Sequence, residues 1–211
     1  MALLIQAFPV RYPDSWTSGR SLPSNSRGSV EICFTDSFDH VRDDDPNDNE
    51  PGKPHRAIDI FGEEGLIVAS ATNGTVANFY FAGRRFRGVD NNDGGGNFVV
   101  IIDDYGYMHY YAHLQRHANN IAPGNRVFAG QEIGRLGHTG KAGPWHLRHL
   151  HYQVCEPRPD TSPDGTNGFS AREAGKTPVN PFSQLRDLAK RGFWRLDRFG
   201  RISIPPKLIR L

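Results

Sequence analysis

His149-Leu150-His151 puts two imidazoles one residue apart. On a strand, whose side chains alternate with a period of two, both rings face one side and can serve one metal ion together. Far upstream His55 and Asp59 form a His-x-x-x-Asp pair, a weak signal alone because that spacing arises often by chance. Together the two motifs offer histidine, histidine and carboxylate, the ligand types that zinc accepts in hydrolytic sites. Such a set leaves one position for water, whose pKa the metal lowers towards neutrality. The chemistry indicated is hydrolysis.

A sheet has to position these side chains. Hydrophobic residues make up 37% of the 211-residue chain, with 23 Gly and 15 Pro, a composition that punctuates short strands and interrupts helices. Short apolar runs bounded by turn residues predict strands at 29–34, 67–71, 74–81, 97–103, 107–113, 131–136 and 149–154. The Asp90 to Gly96 run reads as a turn joining two of them. One short helix is expected at 181–190. The length fits a single well-cored domain, and no internal repeat is present.

Other classes recede on the same evidence. The net charge is only +2, with an acidic stretch at 36–50 and a basic one at 186–210, so no nucleic-acid partner is expected. No run approaches 18 apolar residues, and no membrane span is expected. The first five residues lack the basic and long apolar regions of a secretory signal. Cys33 and Cys155 are the two cysteines, too few for a disulfide framework or a four-cysteine zinc site, and they read as buried reduced thiols.

Further residues fall into a recognisable order. His55-Arg56-Ala57-Ile58-Asp59 is followed by Tyr111-Ala112-His113-Leu114, Gly137-His138-Thr139-Gly140 and His149-Leu150-His151-Tyr152. Between and after them lie Gly74-Thr75-Val76, Gly96-Asn97, Pro123-Gly124-Asn125-Arg126-Val127, Gly130-Gln131-Glu132-Ile133-Gly134 and Val179-Asn180-Pro181. This order resembles the lysostaphin and LytM-type zinc endopeptidases, which cut peptide crosslinks of bacterial peptidoglycan. The resemblance implies that His55, Asp59 and His151 bind Zn2+. It gives His113 and His149 the catalytic work of orienting and deprotonating the water and stabilising the oxyanion, for which imidazole is suited near neutral pH.

The expected fold is mainly β: an antiparallel β-sheet with a groove walled by long loops at 35–54, 84–95, 137–148 and 155–176, and one short C-terminal helix. Residues 1–54 read as a loop-rich N-terminal extension packing on the domain, 55–182 as the catalytic β domain that the resemblance covers, and 183–211 as the short helix and basic tail of the same domain. Two departures from the family pattern stand out: 143–148 is long and carries His146, read as a loop or groove residue, and 155–176 reads as surface. His40, His109 and His117 are read as solvated or packed. Tyr107, Tyr110, Tyr111 and Tyr152 are read as core or cross-strand pairs.

The implied activity is zinc-dependent hydrolysis of peptidoglycan stem-peptide crosslinks or bridges. Two alternatives stay open: a non-catalytic binding or activator module of the same fold, against which all five site residues argue, and a zinc peptidase for another peptide. The substrate lies in the periplasm or the extracellular wall. With no signal peptide visible, the chain reads as phage-borne, exported by a signal-independent route, or a trimmed mature form; as an effector it would have an immunity or export partner.

Overall fold

The computed structural model describes residues 3–13, 32–42, 53–81, 84–142, 148–156, 177–191, 195–196 and 201–204. Nine strands organise it: β1 (Val10–Arg11), β2 (Ile32–Phe34), β3 (Ile58–Phe61), β4 (Ile67–Ala69), β5 (Gly96–Asp103), β6 (Met108–His117), β7 (Glu132–Leu136), β8 (His149–Cys155) and β9 (Ile202–Ile204). They lie in the order β1-β4-β7-β6-β8-β3-β2-β9, and β5 also pairs with β6. Every pairing is antiparallel, as expected. Among the described residues the helix is α1 (Phe182–Lys190), which buries Leu185 and Ala189.

Alternation sorts the central strands onto two faces. From β5, Val99 and Ile101 join Tyr111 of β6 and Leu150, Tyr152 and Val154 of β8 in the main core. Phe98, Val100 and Ile102 join Met108, Ala112 and Cys155 in a smaller cluster. Burying a side chain of this size contributes about 1.5–3 kcal/mol, so β5 and β6 are fixed from both sides. The N-terminal segment is tied in as well: Ile5 and Val10 are core residues, and Gln184 of α1 bonds the backbone of Leu3 and Ile5.

Two expectations need correction. Residues 84–95 are no loop: Arg84–Arg87 pairs with Asn78–Phe81, and Val89–Asn92 pairs with β5. Three arginines among residues 84–87 and the polar Asp90, Asn91 and Asn92 hid these strands. The strand β3 was also unforeseen, although its apolar Ile58 and Ile60 flank Asp59 with the period of a strand. Cys33 opposes Phe61 and Ser203, whereas Cys155 opposes Met108 and Pro178, and the two form no disulfide. Cys33 is half-buried rather than buried. The expected groove walls at 43–52, 143–147 and 157–176, His146 included, lie outside the described residues.

Candidate metal centre and active site

The pairing of β3 with β8 sets Asp59 directly opposite His151, with Phe61 opposite His149. Directly opposed side chains on one face have their Cβ atoms about 5 Å apart, which brings carboxylate and imidazole together. Asp59 Oδ1 lies 3.3 Å from His151 Nδ1 and 3.2 Å from His55 Nε2. Those two nitrogens are 3.1 Å apart. His55 comes from the segment just before β3, and its Nδ1–H donates to the Ser37 carbonyl at 3.1 Å. The proton therefore sits on Nδ1, and the Nε2 lone pair is turned towards the other two atoms.

Three donor atoms converging this closely are the group that could hold a metal ion. For ligand bonds of 2.0–2.1 Å the edges of a tetrahedron are about 3.3 Å, so the donor set and its spacing fit zinc. Burial alone would raise the Asp59 carboxyl; the surrounding imidazoles of His151, His55 and His149 reverse this and hold it well below the usual carboxylate range. An ionised, dry carboxylate among imidazoles is ready for a cation.

Ser37 fixes both ends of this arrangement. Besides the carbonyl that orients His55, its Oγ accepts the Asp59 N–H at 3.1 Å and donates to the Ala57 carbonyl at 3.3 Å. Asp39 follows with a left-handed φ of 64°, its N–H donating to the His55 carbonyl at 2.7 Å, while the His55 N–H donates to the His40 carbonyl. No spacing pattern in the sequence marks Ser37, because its role runs through the backbone.

His149 and His113 flank the triangle. His149 Nε2 lies 3.6 Å from Asp59 Oδ2, and the His149 ring packs 4.8 Å from that of His113. The His113 ring is 5.9 Å from that of His151. Strict alternation would send His113 to the core with His109 and Tyr111. Instead it takes φ 64°, at a register shift between β6 and β5, and turns into the site. A left-handed non-glycine residue costs about 1–3 kcal/mol and persists only where its surroundings over-determine it. Burial pushes the His113 imidazole down to about 4, helped by the charge of His149 and opposed by its bond to Thr139. It is thus neutral at pH 7, with Nδ1–H donating to the Thr139 carbonyl at 2.8 Å and the lone pair on Nε2.

All five residues singled out by sequence thus meet in one place. The other histidines among the described residues have other neighbours: His40 is exposed, His117 bonds the Phe98 carbonyl, His138 Nδ1 lies 3.6 Å from Glu64 Oε2, and His109 is fully buried between Tyr152 Oη (2.8 Å) and Asp103 Oδ2 (3.3 Å). Tyr111 and Tyr152 stack in the core at 5.2 Å. Tyr110 differs from them, lying half-buried on the face of His151 with the rings 6.1 Å apart.

The model of peptidase family M23 matches residues 53–165. A peptidoglycan DD-endopeptidase of Vibrio cholerae, ShyC, is 35% identical over 102 residues, which is 48% of this chain and 20% of that enzyme. Lysostaphin of Staphylococcus simulans is 31% identical over 103 residues, 48% of this chain and 18% of lysostaphin. The chain therefore matches only about a fifth of the length of these curated relatives. Among solved structures, a LytM from Ruminococcus gnavus is 23% identical with a TM-score of 0.56, covering 88% of this chain and 61% of that one, a likeness of fold.

Proposed function

Since the chain belongs to peptidase family M23, we propose that it is a zinc endopeptidase hydrolysing peptide crosslinks or bridges of bacterial peptidoglycan. The observation that carries this reading is the triangle of His55 Nε2, Asp59 Oδ1 and His151 Nδ1, with mutual distances of 3.1–3.3 Å. These three residues would hold the ion. When bound, zinc polarises the scissile carbonyl and makes water a nucleophile near neutral pH.

The chain's own residues supply the proton traffic. His113 Nε2, deprotonated because Nδ1 keeps its proton against Thr139, takes the proton of the attacking water and returns it to the leaving amine. His149, packed against both His113 and Phe61, donates a hydrogen bond to the oxyanion. In this reading residues 55–182 form the catalytic unit, and Ile5, Val10, Ile32, Phe34, Leu185, Ala189 and Ile202 from the flanking segments join its core. The relatives named as peptidoglycan endopeptidases support the substrate class and, with it, an action in the periplasm or the extracellular wall.

Two measurements test the proposal. Protein purified without added zinc is expected to carry one equivalent or to take one up on titration; less than about a tenth, with no gain on titration, overturns the metal assignment. Digestion of purified peptidoglycan followed by mass spectrometry should release products cut at peptide bonds. Intact peptidoglycan after incubation with zinc-loaded protein overturns the substrate.

A further inference from the structure

The left-handed turn at His113 is held by two loops. The His113 N–H donates to the Gly95 carbonyl at 2.7 Å, and Nδ1–H donates to the Thr139 carbonyl. The Thr139 side chain closes the arrangement: Oγ1 donates to the Leu114 carbonyl at 2.7 Å and accepts the Asn97 N–H at 2.9 Å. Leu114 is the residue after His113, and its carbonyl also accepts from Asn97 Nδ2 at 3.1 Å. Register shifts on both sides, between Asn97 and Val99 and between Leu114 and Arg116, interrupt the ladder there. The hydroxyl of Thr139 therefore replaces ladder bonds that the turn at His113 removes.

The glycines show how close this contact is. A Cβ at Gly96 would overlap the Thr139 side chain and carbonyl, and one at Gly140 would overlap the Gly96 backbone. Both glycines have left-handed φ, 62° and 69°. The loops thus meet backbone to backbone, with the Thr139 hydroxyl as the side-chain group between them.

We propose that Thr139 is a positioning residue for the hydrolysis: its hydroxyl locks the turn at His113, and so fixes the imidazole tautomer that leaves Nε2 unprotonated. The kinetic part of this inference rests on the endopeptidase reading above; the tautomer part does not. Thr139→Val keeps the shape and removes the hydroxyl, and Thr139→Ser keeps the hydroxyl. Thr139→Ala serves as the second loss variant should the valine protein not fold.

Two readouts are taken together on zinc-loaded protein. Imidazole nitrogen chemical shifts should show a fixed Nδ1–H tautomer at His113 in the parent protein and in Thr139→Ser, and averaged nitrogens in Thr139→Val or Thr139→Ala. In the same proteins kcat should fall about 10- to 100-fold for the loss variants, as for other residues that orient a reacting group, with KM and zinc content unchanged and with serine restoring most of the rate. Unchanged tautomer in the loss variants overturns the proposal. So does a loss variant with parental kcat, or a serine variant as slow as valine. If the zinc-loaded parent cleaves no peptidoglycan, the endopeptidase reading fails, while the tautomer comparison still decides the role of Thr139.

Discussion

Asp59 and His151 reach the site by staying in register; His113 reaches it by leaving. The first pair oppose each other on a regular antiparallel ladder, and any sequence that keeps the period of β3 and β8 keeps them facing one way. His113 sits at an interrupted ladder with a left-handed backbone, held by carbonyls of two loops. In the proposed function, holding the metal falls to a regular ladder. Moving a proton falls to a left-handed position whose geometry depends on residues 95–97 and 137–140. The two tasks should separate experimentally.

The largest effect should come from the ladder half. His151→Ala removes one corner of the triangle and is expected to lose zinc and all measurable turnover together, read by metal analysis and peptidoglycan digestion. Replacing the other half should leave the metal in place: His113→Ala or His149→Ala should keep about one zinc and lose roughly two to four powers of ten in kcat. If the His149 protein loses zinc while the His151 protein keeps it, the roles are reversed.

The contrast can be sharpened in the loops. Gly96→Ala, with its left-handed φ and no space for a Cβ, should cost roughly 3 kcal/mol in urea unfolding and slow turnover without changing zinc content. Gly130→Ala is the control, since Gly130 is left-handed with nothing near its Cβ position; about 1 kcal/mol is expected, with normal kcat. Equal costs at the two sites would mean that the Gly96–Thr139 contact is not tight.

The last effect concerns pH. His113 and His117 are both lowered, each chiefly by burial. A folded pKa below the unfolded value of about 6.5 means that the unfolded chain binds protons first. Stability of the zinc-free protein is then complete above about pH 6.5 and falls as the pH drops towards 4, where the His113 contribution levels off. The loss should be on the order of 2 kcal/mol after allowance for solvent screening, and His113→Gln should flatten the slope in urea melts across that range. An unchanged slope would show that His113 keeps its solution titration.

Much of this was legible in residue order. The strands β5 to β8 and helix α1 came close to their expected places because alternation and turn residues mark them locally. His149 and His151 share a face for the same reason. Ligand roles needed more than period: both histidines of that pair face the site, and only the cross-strand partner, Asp59 for His151, separates them. The turn of His113 could not be read from alternation, which points it to the core. Ser37 was invisible, since it acts through a carbonyl and a hydroxyl on segments 18 and 22 residues away.

The two-stranded ladder beside the site has its own implication. Val41 and Arg42 pair with Pro54 and Lys53, and Asp39, His40 and His55 continue the bonding towards the metal-facing imidazole. The chain ends that bracket 43–52 are thereby fastened side by side before that stretch begins. The backbone bonds that hold His55 are thus made by residues on either side of 43–52, so the position of this imidazole is fixed by the ladder and the Ser37–Asp39 turn together.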